Sequence, residues 1–299
     1  MKKIFLAISA IAILAIACNK MTNVQAIGPD YKKVNSKVNE LFNTEFKQKR
    51  DQLSLENSNN DYDFVGKLHN IGLESFVNNY TQINGLVNNN EMSFRTLINS
   101  NTLYLGQNSS INQFNTSVVN NNSLLTYLKN LGSSNSSFVT AFDVINFHPT
   151  NDFKDFYLEM LNAVDGINRN DESSFSRYLG LVKNIEDDII VSTLQNDEKD
   201  ILLATASVAR FSAGYWFYNT SLNIWNSGNL NNPPYKAIIK WDIAGGAGGA
   251  AAGAIVGGTV TIPVGGIGSL PGWVAGAITG AVGGSVSEAV FEFLDWVFG

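Results

Sequence analysis

The C-terminal part of the chain contains an uncharged, glycine-rich stretch that limits the folds open to it. From Ile243 to Ser287, 45 consecutive residues carry no charged side chain, and glycine recurs at every fourth position in two blocks. Residues four apart lie on one face of a helix, so the spacing predicts a helical hairpin closed by contacts between two glycine faces. The nine glycines are Gly245, Gly249, Gly253, Gly257, Gly268, Gly272, Gly276, Gly280 and Gly284.

The same stretch favours a membrane over water. It holds 15 glycines, and each costs a solvated helix about 0.8–1 kcal/mol relative to alanine. In hydrocarbon, an unpaired backbone group costs several kcal/mol, so helix is nearly obligatory there. The first arm, Ile243–Ile262, has the length of a membrane-spanning helix, and the second arm begins near Gly272. We therefore predict the lipid bilayer as a partner, with the arms inserted as a pair or within a homo-oligomer. The alternatives are a hairpin inside a soluble core or a disordered tail.

Two segments of the hairpin resemble a known family. GGAGGAAAGAIVGG (Gly245–Gly258) and GWVAGAITGAVGG (Gly272–Gly284) are similar to the glycine-zipper two-helix segments of bacterial envelope lipoproteins. The resemblance covers about 40 of the 299 residues and implies membrane association. Those lipoproteins are short, so the resemblance does not extend to the large region that precedes the hairpin here.

The N-terminus has the features of an export signal. Lys2 and Lys3 precede the apolar, uncharged segment Ile4–Ala17, and Cys18 follows directly. This junction resembles the lipobox of bacterial lipoproteins, although the nearest leucine, Leu14, lies four residues before the cysteine where lipoboxes usually have it three before. The resemblance implies a signal peptide (1–17), a lipid such as palmitate on Cys18, a tether (18–26) and a place in the cell envelope at the outer membrane. An ordinary cleaved signal is the alternative.

Charge and cysteine content exclude several classes of protein. Without Lys2 and Lys3, the chain has 18 basic and 26 acidic residues, a formal charge of −8. Nucleic acid requires a basic face, so we predict no nucleic-acid partner. Cys18 is the only cysteine, so it cannot form an internal disulfide.

The sequence predicts a multi-helix domain over residues 27–232, and the predicted fold class is all-α. Apolar residues recur at helical spacing in several segments, with Asn- and Ser-rich stretches between them that are typical of loops. The pair Pro233-Pro234 favours an extended connection, so we predict a linker over 233–242. Residues 243–299 then form the glycine hairpin and an amphipathic tail.

A nearly apolar run, Ile201–Tyr218, predicts a central buried helix with Arg210 as its only charge. An isolated buried guanidinium is costly, so Arg210 needs a carboxylate or several carbonyls as partners. A core Arg paired with an acid from a neighbouring helix is the main interpretation. A ligand-anion or mechanistic role, and a third membrane segment, are the alternatives.

The second candidate polar residue is His69, in FVGKLHNIGLESF. This segment and SVARFSAGYW (Ser207–Trp216) are similar to segments of uncharacterised exported bacterial proteins that also end in glycine zippers, a resemblance that supplies no activity. We interpret His69 as a structural histidine, with a site role as the alternative. The sequence has no metal-ligand spacing, P-loop or nucleophile elbow, so we predict no metal, no cofactor and no catalytic residue.

Three functions fit these features. The first is a non-enzymatic cell-envelope lipoprotein that associates with membrane through its glycine hairpin. The second is a secreted bacteriocin-like or pore-forming protein whose hairpin oligomerises in a target membrane. The third is a helical enzyme that uses His69 and Arg210.

Overall fold

A computed structural model describes residues 31–32, 34–36, 38–39, 55–83, 127–128, 131, 135–218, 235–256, 259–261, 269–271 and 273–285. The predictions for the signal peptide, Cys18, the tether (18–26) and the tail beyond 285 lie outside these residues. So do Gly257, Gly268 and Gly272 of the predicted glycine faces.

The described elements are almost all helical, which confirms the prediction of an all-α fold. The helices are α1 (Asp63–Ile83), α2 (Asn135–Thr140), α3 (Asn151–Ala163), α4 (Glu172–Val191), α5 (Asn196–Tyr218), α6 (Tyr235–Val256) and α7 (273–285). Short 3-10 helices follow α2 and α3, at Ala141–Ile145 and Val164–Gly166. Residues 31–32, 34–36, 38–39 and 127–128 are also helical. Between α6 and α7 lie two short strands, β1 (Thr259–Thr261) and β2 (Ser269–Pro271), which pair antiparallel with Val260 opposite Leu270.

Helices α3 and α4 begin where side-chain caps are available. The Thr150 hydroxyl accepts a hydrogen bond from the Phe153 backbone N–H, and the Asp171 carboxylate accepts one from Ser173. Each cap satisfies one of the backbone donors left free in the first turn. From these starts, both helices place an apolar stripe on the core, which in α4 includes Tyr178.

Helix α5 is the centre of the domain. Its side chains from Ile201 to Phe217 are all buried, and it packs against α1, α3, α4 and α6. A helix that is apolar on every face must be covered on every face, and these four helices cover it. The prediction of a central buried helix is confirmed.

Residues 235–242 are helical, not an extended linker as predicted. Helix α6 begins at Tyr235, whose hydroxyl donates to the Ile167 carbonyl at 3.0 Å. Lys240 forms an ion pair with Asp165 at 2.9 Å, and Ile239 is fully buried. The first turns of α6 therefore pack on the loop between α3 and α4, and these contacts favour helix over the extended chain that Pro233-Pro234 indicates.

Helices α6 and α7 approach each other backbone to backbone. A Cβ atom added to Gly249 would lie 2.1 Å from the Gly276 carbonyl oxygen, and one added to Gly280 would lie 2.0 Å from that of Gly245. A Cβ on Gly284 would lie 2.2 Å from the Trp241 oxygen. These positions accept only hydrogen, so the glycine spacing determines how closely the two helices pack.

Protein also covers the other sides of α6. A Cβ on Gly248 would lie 2.1 Å from the Tyr127 ring, and one on Gly246 would lie 3.4 Å from the Val208 side chain of α5. Burial continues to Gly253, whereas Ala254 and Ile255 are exposed. Within the described part of the chain, α6 is thus a core element of the helical domain.

None of the described helices combines the length and the apolar character that crossing a membrane requires.

Candidate functional site

Two polar clusters lie in the interior beside helix α5. The arginine cluster consists of Arg210, Asp63, Glu186, Asn57 and Asn60. The histidine cluster consists of His69, Asn70, Ser212, Trp216, Asp242 and Ser285. Every one of these side chains is buried.

Arg210 is held by two carboxylates and a backbone carbonyl. Its Nη2 donates to Glu186 at 2.8 Å and also to Asp63. Its Nε donates to Glu186 at 3.2 Å, and its Nη1 donates to the Leu55 carbonyl. The side chain is 0% exposed, so these partners take the place of water. The main interpretation of Arg210, a core charge paired with an acid from a neighbouring helix, is confirmed.

Amide side chains complete the arginine cluster. Asn57 donates to Glu186 at 2.7 Å, and Asn60 donates to the other oxygen of the same carboxylate at 2.6 Å. The backbone N–H of Asn57 also donates to Asp63, at 2.8 Å. The turn before α1 therefore folds inward to satisfy lone pairs that Arg210 leaves open, as buried carboxylates require.

The electrostatics of the arginine cluster favour the charged form of the guanidinium. Burial alone would lower the pKa of Arg210, but the Glu186 and Asp63 carboxylates outweigh it and raise that pKa. One positive and two negative side chains leave a formal charge of −1, which the amide donors help to stabilise. The arrangement is a closed structural network.

The histidine cluster is centred on Asp242 of α6. Its Oδ2 accepts from the Ser212 hydroxyl at 2.6 Å and from the Trp216 indole N–H at 3.2 Å, both on α5. Its Oδ1 accepts from the Ser285 hydroxyl of α7. A single buried carboxylate thus connects both arms of the hairpin to the central helix.

His69 of α1 contacts this carboxylate from the other side. Its Nε2 lies 3.6 Å from Asp242 Oδ2 and 3.4 Å from Ser285 Oγ. Its Nδ1 lies 3.0 Å from the Asn70 amide oxygen. In a Ser-His-Asp triad, by contrast, the carboxylate holds Nδ1 and the serine lies at Nε2. Here the serine and the acid share one nitrogen, and all three side chains are closed off from solvent.

Burial determines the protonation of His69. Removal from water lowers the pKa of His69 from 6.5 to about 4, against a smaller opposing effect of its hydrogen bond to Asn70. The imidazole is therefore neutral near pH 7. Between about pH 4 and 6.5, the unfolded chain binds a proton at this histidine that the folded chain does not, so stability falls as the pH falls through this window.

We expect His69 to contribute about 3 kcal/mol of pH-dependent stability, since each unit of pKa shift corresponds to about 1.4 kcal/mol. The free energy of unfolding in urea, measured at about pH 7.5 and about pH 4.5, should fall more for the native protein than for His69→Gln. Glutamine does not titrate, so His69→Gln is the control for the pH dependence that arises from the other titratable groups. An equal fall in both proteins would contradict a neutral, buried His69.

The two polar residues singled out from the sequence belong to different clusters, His69 with Asp242 and Arg210 with Glu186. Asp242 and Glu186 were not recognised as partners. Glu186 lies four residues after Val182 on the buried stripe of α4, and Asp242 precedes Gly245 and Gly249 at helical spacing. An acid on an apolar face was the available signal in both cases.

Two further observations bear on function. Within the described ranges, no group of three or more His, Cys, Asp or Glu side chains is arranged to hold a metal ion. Comparisons of the chain with protein-family models, with curated proteins and with solved structures give no match.

Proposed function

We propose that this chain is a non-enzymatic lipoprotein of the bacterial cell envelope, anchored by a lipid on Cys18, and that its glycine hairpin is its membrane-active element. The observation that carries the proposal is the composition of the hairpin surface. Between Ile243 and Gly253, helix α6 presents only glycine, alanine and isoleucine, and the partner helix α7 is also mostly apolar. Such a surface is stable in a protein core or in lipid, but not in water.

The helical domain covers this hairpin, because helix α5 packs on α6 and the Tyr127 ring lies against Gly248. The hairpin can then act on a bilayer only after α6 separates from α5. In the folded domain, Asp242 of α6 accepts a hydrogen bond from α5, and Val208 of α5 packs against α6. The domain thereby keeps an apolar element soluble beside the membrane to which the lipid on Cys18 attaches the chain. His69 contacts Asp242, and Arg210 is paired with Glu186, both in the interior of the domain. These contacts support a structural role for both polar clusters and thus a non-enzymatic function.

The lipid anchor is tested by metabolic labelling with a radioactive fatty acid, followed by cell fractionation. We expect the native protein to carry the label and to sediment with outer membranes. Cys18→Ala should lose the label and leave that fraction. An unlabelled native protein whose mature N-terminus is any residue other than Cys18 would contradict the proposal.

A secreted, pore-forming protein is the second candidate, and the enclosure of the apolar hairpin favours it as well. Delivery through water requires the hairpin to be covered, as α5 and Tyr127 cover α6. This function requires release into the medium, oligomers in the target membrane and leakage of dye from vesicles. Retention on the producing cell without leakage distinguishes the lipoprotein from it.

A further inference from the structure

Three side chains with complementary chemistry meet outside the two polar clusters, where α1 faces the helical residues 38–39. The Lys67 ammonium group of α1 donates one hydrogen bond to the side-chain oxygen of Asn39 and another, at 2.8 Å, to Glu56. Lys67 is 1% exposed, and the centre of the Phe211 ring lies 5.5 Å from its Nζ. A primary amine, a carboxamide and a carboxylate therefore come together at a nitrogen atom that is closed off from water.

The ion pair between Lys67 and Glu56 is uneven in its exposure. The Lys67 side chain is 1% exposed, whereas the Glu56 side chain is 57% exposed. Water screens the carboxylate, so its attraction compensates only in part for the hydration that the buried ammonium group has lost. The other partner, the Asn39 oxygen, is an uncharged acceptor. The surroundings of Lys67 therefore favour a reaction that removes its charge.

Hydrogen bonds of the arginine cluster hold the backbone on both sides of Glu56. The Leu55 carbonyl accepts from Arg210, and the Asn57 N–H donates to Asp63 at 2.8 Å. These contacts keep the intervening residue in place beside the amine. Its carboxylate lies within the range of about 2.6–3.2 Å over which a general base takes up a proton.

We propose that an amide bond forms between Lys67 Nζ and Asn39 Cγ, and that Glu56 carries the protons. Glu56 takes a proton from the ammonium group, and the Nζ lone pair attacks Cγ, the atom next to the oxygen that the lysine contacts. The protonated Glu56 then gives its proton to Nδ2 of Asn39. The bond between Cγ and Nδ2 breaks with its electron pair on nitrogen, and ammonia leaves. A second proton passes from Nζ through Glu56 to the ammonia, so the products are one amide and one ammonium ion.

This bond closes a covalent loop from residue 39 to residue 67. Such a cross-link restricts the unfolded chain as a disulfide does. It requires no oxidant and no cysteine, and Cys18 is the only cysteine of the chain. The amide thereby fastens the N-terminal helical residues to α1 in a protein that cannot form an internal disulfide.

The test is mass spectrometry of the mature protein after denaturation and digestion with trypsin. Cleavage after lysine and arginine gives the peptides 38–47, 51–67 and 68–95 from an unlinked chain. Trypsin does not cleave after an acylated lysine, so the linked chain gives a branched product of 38–47 and 51–95 that is lighter by one ammonia than its two parts. We expect this product, with fragment ions that place the bond between Asn39 and Lys67.

Three variants test the chemistry. Lys67→Arg removes the nucleophile and keeps the positive charge, and Lys32→Arg makes the same change at an exposed lysine. We expect the first to abolish the branched product and the second to leave it unchanged. Glu56→Gln keeps the amine and the carboxamide but cannot carry protons. It should slow formation of the bond at least about a hundredfold, the lower end of what positioned proton transfer contributes.

Circular dichroism shows whether each variant is folded. Glu56 lies at the surface, so Glu56→Gln keeps the test decisive even where Lys67→Arg does not fold. Unlinked peptides as the only products of the folded native protein would overturn the proposal. Loss of ammonia from peptide 38–47 alone, which marks a succinimide at Asn39, would overturn it as well. An undiminished rate in folded Glu56→Gln would contradict the role of Glu56.

Discussion

Gly249→Ala is expected to destabilise the protein by about 1–3 kcal/mol, the usual cost of overpacking, although alanine is the better helix former. The added methyl group would lie 2.1 Å from the Gly276 oxygen and 2.9 Å from the Gly280 Cα. Both are backbone atoms, so α6 and α7 must move apart to accommodate it. Helix propensity alone gives the opposite result, a gain of about 0.8–1 kcal/mol.

Gly180→Ala is the matched control, since the same chemical change falls in the middle of helix α4. A Cβ there meets nothing within 4 Å, so only propensity and the unfolded-state entropy act. We expect this variant to be more stable than the native protein by about 0.4–1 kcal/mol. Urea unfolding measures both changes, and the same sign for both variants would contradict direct backbone contact between the two arms.

The second large effect is expected at Arg210. Arg210→Ala leaves Glu186 and Asp63 buried without their cation, and breaking a buried pair in this way typically costs about 3–5 kcal/mol. The control is Arg177→Ala, which removes an arginine from an exposed pair with Asp171, whose Nη2 to Oδ2 distance is 3.4 Å. An exposed pair contributes about 0–1 kcal/mol. Similar losses in urea unfolding for the two variants would contradict a closed arginine cluster.

A coupled substitution separates lost packing from lost charge pairing. Arg210→Met keeps much of the side-chain volume, and Glu186→Gln removes one of the carboxylates left unpaired by it. If the lost charge pairing is the main cause, the double variant should lose less stability than the two single variants lose together, by about 0.5–3 kcal/mol. Additive losses would mean that the packing of the arginine stem dominates.

The sequence was most informative where a pattern repeats. Period-four glycines predicted the faces that meet at Gly249 and Gly276. An apolar run without a polar face predicted the buried helix α5, and the lone charge in that run predicted a buried ion pair. In each case local spacing is enough, because a helix brings residues four apart onto one side whatever the rest of the chain does.

The sequence was less informative where the partner is distant along the chain. Glu186 lies 24 residues from Arg210, and Asp63 lies 147. Asp242 contacts Ser212 and Ser285 across separate helices. Such contacts depend on how helices pack in three dimensions. For the same reason, the neighbouring prolines led to the prediction of a linker where α6 begins. The contacts of Tyr235 and Lys240 with the loop before α4 are not visible in the sequence.

The glycine hairpin and the helices before it form a single core around α5. A chain of residues 19–232 removes α6 and α7 and leaves the buried face of α5 around Val208 and Ser212 open to water. Its unfolding in urea, followed by tryptophan fluorescence and near-ultraviolet circular dichroism, is the most direct measurement of this claim. We expect no cooperative transition in the truncated chain and a sharp one in residues 19–299. A cooperative transition with native near-ultraviolet dichroism in the truncated chain would contradict the account, because the helical domain would then fold without its hairpin.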